Sequence, residues 1–466
     1  MTSKSLFSKL LREDLKRRTW AIALAMIGFF FALPINLALT MENAQADNFY
    51  RYNNYESLDA VQWSSPEQKA ARILELKSQV ALDGAEFGNG LLAFLMITTA
   101  VVMGVSSFAY LHNKRKVDFY HSLPVRRELF YLVQYMGGFL IIAGTYLLNL
   151  VFYLGVSAAY QIPLGNILGG ILGGWLLNLL YFLLIYGTAV TAVMLTGHLL
   201  VGVLAAGVLL FFLPAVVLVL ESYTDLFFGT QSYYWTDLSE FQIIDCLKWI
   251  SPFTAYLYAL GWGMEELAPH IPALVITFFV SLGLAFFGME LYRKRPLEAA
   301  GRAMAFKISA SPIRFLMVWG FGVMGALFFW VIQSRPYWAV FGAIMGALIS
   351  HCVIEVIYHF DFKKLFSHWA QLVLAAALSV AVFMSFRYDW WGYDSWIPDA
   401  GKVESAAVVI DLDDGWLNNH RIVTGEDGKQ TLEWGDGGQF PAEQMVLTDL
   451  DLILPLVEDG IRQEKE

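Results

Sequence analysis

"KRKVDFYHSLPVRRE", Lys114–Glu128, stands between "GLLAFLMITTAVVMGVSSFAYL" (Gly90–Leu111) and "LFYLVQYMGGFLIIAGTYLLNLVFY" (Leu129–Tyr153). Neither flanking run holds an Asp, Glu, Lys or Arg. As a helix, about 20 apolar residues match the roughly 30 Å hydrocarbon core of a bilayer. Two membrane spans joined by a short cationic loop are therefore expected.

The same pattern recurs along the chain. Apolar runs fall at about 20–40, 90–111, 129–153, 168–195, 199–220, 271–291, 315–332, 338–359 and 367–386, with the weakest break at Gly197-His198. The 466 residues are 57% hydrophobic and only 15% charged, too little polarity to clothe a soluble globule. The expected fold class is an all-α polytopic membrane protein of about nine transmembrane helices. The first run exceeds the 7–15 apolar residues of a signal peptide and lacks a short charged leader, so it reads as a retained span. Cys246 and Cys352 fall in an outer loop and inside a span, and give neither a disulfide framework nor zinc spacing.

Charge sets the orientation. Segments 1–19, 112–128, 196–198, 292–314 and 360–366 carry 19 of the 31 Lys and Arg residues, whereas 33 of the 41 acidic residues fall in the alternate segments. Short Lys/Arg-rich loops stay cytoplasmic, which puts the N-terminus inside a plasma membrane and the C-terminus outside. Four regions follow. Residues 1–19 form a cytoplasmic amphipathic helix, with Leu6, Phe7, Leu10, Leu11 and Leu15 on one face, suited to lie in the interface. Residues 20–300 are a six-span core with outer segments 41–88 and 221–270. Residues 301–386 add three spans. Residues 387–466 form an acidic tail in which "AAVVIDLD", "HRIVT" and "QTLEW" predict a small β-rich extracytoplasmic domain. Within the outer segments, "SPEQKAARILELKSQVAL" predicts an amphipathic helix, and "KWISPFTAYLYALGWG" is too short to span but apolar enough to dip into the leaflet.

Catalytic machinery is missing from the sequence. There is no G-x-x-x-x-G-K-[ST], H-E-x-x-H or G-x-S-x-G pattern, so any ATP-driven work needs another chain to bind the nucleotide. No nucleic-acid partner and no metal or cofactor on this chain are expected. Ionisable residues inside spans are scarce, and each is a functional candidate. His351, Glu355 and His359 recur at four-residue spacing in "SHCVIEVIYHFDFKK". They read either as a proton or metal site, or as Glu355 and His359 paired with nearby basic residues. The lack of a second acidic residue at mid-membrane favours pairing. Asp411, Asp413 and Asp414 near a Gly echo a calcium loop without its spacing or closing Glu. Gly165, Gly169 and Gly173, with Gly170 and Gly174, and the pair Gly342 and Gly346 allow close helix approach, within the chain or between subunits.

Topology alone explains the Lys and Arg of the opening stretch. It does not explain Asp118, Tyr120, His121, Ser122, Leu123 or Pro124, which suit contact with protein. Pro124 favours a first helical turn, with Ser122 as cap, so that "PVRRELF" would lead straight into the third span. Three features together resemble the type-2 ABC exporter permeases: an amphipathic helix before the first span, the "DFYHSLPVRRE" loop, and a long outer hairpin before the sixth span. "SLPVRRE" is similar to the LP-x-x-R signature of such permeases from Gram-positive bacteria, and "YRKRPLEAAGRAM" (Tyr292–Met304) resembles the loop after their sixth span. The resemblance covers about the first 300 residues; the last three spans and tail look like a subgroup's extension. It implies that Asp118, Tyr120, His121, Ser122, Leu123, Pro124, Arg126, Arg127 and Glu128 couple the spans to a separate ABC ATP-binding subunit, which would hold ATP and Mg. It also implies a second permease subunit, in a homo- or heterodimer, with a path lined by the first, second and fifth runs. The rival readings are a proton-coupled carrier using Glu355, and a non-transporting sensor with the tail as ligand domain.

Overall fold

The computed structural model describes residues 3–53, 58, 63, 65–228, 247–262, 267–397, 399–403, 406, 420–424, 430–434, 446–448 and 450–465. Among them, nine helices are long and apolar enough to cross a membrane, and they coincide with the nine runs. An amphipathic helix α1 (Ser3–Arg17) precedes the first span α2 (Thr19–Ala46). Pro34 lies in a π-helical turn, Phe31–Ile35, which absorbs the proline's missing donor and ring bulk without ending the span. Helix α3 (Pro66–Ala85) opens with Ser65 as cap, its hydroxyl accepting from Gln68 N at 3.2 Å, and with Pro66 at the first position. Then follow α4 (Gly90–Phe108), the short α5 (Lys114–His121), α6 (Arg127–Ala159), α7 (Leu164–Leu195) and α8 (Leu199–Phe227). A nine-residue helix α9 (Pro252–Leu260) precedes α10 (Ile271–Lys294), α11 (Lys307–Gln333), α12 (Pro336–His359) and α13 (Trp369–Arg387).

The chain divides into two compact units. The first comprises residues 1–215, 247–314 and 352–367. Its core runs through α2, α4, α6 and α7 and is dense in buried tyrosines. Buried hydroxyls need partners, and several donate to main-chain carbonyls: Tyr153 to Ala81 at 2.6 Å and Tyr131 to Ala285 at 2.9 Å. The short apolar segment expected to dip into the leaflet is α9. It docks on α7, with Tyr256 stacked on Tyr181 at 5.0 Å and donating to Asn178.

The second unit comprises residues 216–246, 315–351 and 368–466. Here Gly342 and Gly346 do what their spacing predicts within the chain. A Cβ at either would strike the backbone of Gly325 or Phe321, so α11 and α12 meet backbone to backbone. By contrast, Gly165 and Gly169 of the other glycine stripe face open space, while Gly170 and Gly174 receive Leu82 and the Glu86–Phe87 backbone.

The described residues of the tail do not support a β-rich domain. Instead, they hold one antiparallel hairpin, β1 (His420–Thr424) with β2 (Gln430–Trp434), an isolated bridge, and a helix α14 (Leu450–Lys465). The stretch "AAVVIDLD" beyond Ala406, and with it Asp411, Asp413 and Asp414, lies outside the described residues.

Candidate functional site

The ends of the spans that carry the basic loops meet in the first unit, and the opening stretch sits among them. Asn113 starts α5 by accepting from Arg115 N at 3.1 Å and Lys116 N at 3.3 Å. The helix is amphipathic. Val117 is buried, and Tyr120 and His121 are half-buried, Tyr120 lying 4.7 Å from the ring of Tyr110 and 5.4 Å from Phe130. Lys114, Arg115, Lys116 and Asp118 point outward, together with Phe119, which is 59% exposed.

Ser122 does not cap the third span. It ends α5, its hydroxyl donating to Phe119 O at 2.8 Å, and α6 begins only at Arg127, after a turn at Leu123–Arg126. That turn leaves Ser122, Pro124 and Arg126 exposed and Leu123, Arg127 and Glu128 half-buried. Arg127 donates to the carbonyl of Arg293 at 3.1 Å, at the end of α10. The nine residues singled out thus divide: Asp118, Ser122, Pro124 and Arg126 are exposed, Tyr120, His121 and Arg127 contact neighbouring elements, and Leu123 and Glu128 are half-buried. Burial, with Arg127 and Arg295 nearby, pushes the His121 imidazole below its ordinary value; Asp118 pulls the other way.

Two buried arginines organise the surroundings. Arg18, at the joint between α1 and α2, pairs with Asp14 at 3.1 Å and donates to Ser107 Oγ at 2.6 Å and to Gln134 Oε1. The Tyr186 hydroxyl lies 3.4 Å from Ser107 Oγ at the edge of this network and 3.1 Å from the carbonyl of Tyr135. Gly137 and Gly138 make room for these groups, since a Cβ there would collide with Asp14 and with the Tyr186 hydroxyl. Burial raises the Asp14 carboxyl, and the attraction of Arg18 opposes this. Arg17 reaches across from α1 to Tyr120 Oη at 3.0 Å.

Arg295 is 6% exposed. Its guanidinium donates to Val193 O at 2.9 Å, Met194 O at 2.7 Å and Leu111 O at 3.5 Å. Those carbonyls belong to the last turn of α7 and to the 3-10 turn that follows α4, where helix ends leave carbonyls short of intrahelical amide partners and with partial negative charge; Val193 O also accepts from Thr196 N at 3.4 Å. The segment after it pairs with the α7–α8 turn: Gly301 N with Gly197 O at 2.8 Å, Gly197 N with Ala303 O at 3.0 Å and Ala305 N with Leu195 O at 2.8 Å. Only glycine fits at 197, where a Cβ would overlap the carbonyls of Ala299 and Arg302. "YRKRPLEAAGRAM" therefore forms a strap across the ends of the spans and backs α5.

The in-span candidates all lie on the one helix α12. His351 is fully buried in the second unit. Glu355 and His359 belong to the first, where Glu355, 0% exposed, lies 2.9 Å from Arg314 Nε and 3.2 Å from His359 Nε2. Arg314 rests over the Tyr358 ring at 5.4 Å. Glu290 pairs with Arg293 at 3.1 Å on the surface of α10.

This fold defines a class: a polytopic, helical membrane protein with nine candidate spans. In comparisons with protein-family models, curated proteins and solved structures, nothing matches the chain.

Proposed function

We propose that the chain is the membrane subunit of an ATP-driven exporter, with ATP and Mg held by a separate ATPase that docks on α5 and the following turn. One observation carries the reading. Between the second and third spans lies a short helix whose inner face is fixed by Tyr110, Phe130 and the strap, and whose outer face offers Phe119 among Lys114, Arg115 and Lys116. An exposed aromatic ringed by cations suits an acidic groove on a protein partner. Because only residues 109–113 and the turn Leu123–Arg126 join α5 to α4 and α6, and α5 packs on Tyr110 and Phe130, a push on it would reach both spans. A second permease copy would complete the path.

The test is purification of the full chain from its native membranes, followed by assay of ATP hydrolysis and identification of co-purifying chains. An ABC ATPase is expected with wild type and lost with Phe119→Asp at unchanged thermal stability. Absence of any ATPase from an intact wild-type preparation would favour the carrier or sensor readings.

A further inference from the structure

The loop that follows α13 is rich in aromatic residues, and it is held rigidly. Asp389 adopts a left-handed backbone (φ 42°), and its carboxylate accepts from Tyr393 N at 2.7 Å, Asp394 N at 3.2 Å and Ser395 Oγ at 3.4 Å. Trp390 N returns to Ser385 O at 3.0 Å. Tyr393 stacks on Phe228 at 4.7 Å. On this frame Trp390, Trp391 and Trp396 stand 65%, 73% and 72% exposed. Three indoles in water are costly, at roughly 25 cal/mol per Å² of apolar surface.

The level of the loop is set by topology. Three successive crossings, α11, α12 and α13, put the end of the last on the same face as the turn between the first two. The guanidinium of Arg387 lies 5.6 Å over Trp330, three residues before the end of α11, which brings the two span ends to one depth. Tyr337, at the start of α12, is 67% exposed on that face. An indole has a wide apolar surface and a single N–H donor. Where hydrocarbon meets ester and phosphate oxygens, both are satisfied.

We propose that Tyr388–Trp396 is a preformed anchor seated in the glycerol and headgroup layer of the bilayer, with Trp390, Trp391 and Trp396 taking lipid as their partner. Its role would be to fix the depth of α13 and to hold the start of the tail at the membrane surface.

Intrinsic fluorescence tests this on the full chain in phosphatidylcholine/phosphatidylglycerol vesicles. The triple variant Trp390→Phe/Trp391→Phe/Trp396→Phe keeps aromatic bulk, and its emission subtracted from wild type isolates the three indoles. Lipids brominated high on the acyl chain are expected to quench this difference at least about twofold more than lipids brominated near the bilayer centre, while aqueous iodide quenches little. Quenching by iodide with no effect of brominated lipid would place the loop in water and overturn the proposal. Protection from both would mean that protein covers it, a second copy or another chain, and would overturn it equally. If the triple variant elutes abnormally, Trp391→Phe alone supplies the difference signal under the same criteria.

Discussion

Arg295 ties together the buried end of α7 and the turn after α4, donating to the carbonyls of Val193, Met194 and Leu111. Burial pulls its guanidinium to about 10, with Tyr110 and Tyr292 opposing, so it stays charged at neutral pH. Hydrogen bonds from a charged donor contribute roughly 1.5–3 kcal/mol each. Arg295→Ala is therefore expected to lower the unfolding temperature of the detergent-solubilised protein by several degrees, with Arg295→Lys intermediate. An ammonium is a point donor and cannot fork across two carbonyls. Nothing in "YRKRP" says which of its cations is buried, because the acceptors lie about a hundred residues earlier in the chain. His121 gives a pH dependence of definite sign. Its folded value lies below the ordinary 6.5, so on acidification the unfolded chain takes up the proton first, and stability falls as pH drops from about 7 to 5. The thermal stability of His121→Asn should fall less over that interval; equal slopes for the two proteins would deny His121 this role.

At the scale of elements, what the sequence makes legible follows from how far apart the deciding contacts lie. The spans are legible because lipid demands an uninterrupted apolar run, a local property. The helix α3 is legible from Ser65, Pro66 and its apolar stripe for the same reason. The start of α6 is not: Pro124 and Ser122 are good local signals, but Tyr120 is seated on Tyr110 and Phe130 and His121 lies near Tyr292, α5 ends at Ser122, and the next helix starts only at Arg127. This separates two arginines that read alike in sequence. Arg126 is exposed, whereas Arg127 is engaged with the Arg293 carbonyl. Arg126→Glu is expected to reduce recovery of the ATPase without changing thermal stability, and Arg127→Lys to lower stability while leaving recovery of the folded complex close to wild type. Size-exclusion recovery and a melting curve on each variant separate these outcomes; interchanged phenotypes would reverse the assignment of faces.

For the whole molecule, charge and the number of crossings together determine how the protein sits in the membrane. If the nine candidate spans alternate, the net charge of −10 is expected to split, with basic residues on the face of α1, α5 and the strap and acidic residues in the alternate loops and tail. The contacts within the first unit agree with alternate crossings, since Arg18, Arg127 and Arg295 each join span ends that must share one face. Which face is cytoplasmic rests on the charge asymmetry, because cytoplasmic loops retain Lys and Arg. The close approach of α11 to α12 was legible in part: the spacing of Gly342 and Gly346 allowed it, but their partners Gly325 and Phe321 carry no address in a sequence. With Cys246 and Cys352 replaced by Ser, two single-cysteine variants test the arrangement. Gln430→Cys, in β2, is expected to react with a membrane-impermeant maleimide in intact cells, and Phe119→Cys, on the outer face of α5, only after lysis. The reverse pattern would invert the molecule and remove α5 from the reach of a cytoplasmic ATPase. Labelling of both sites from the same side would contradict seven crossings between them, and with it the alternation on which the basic face depends.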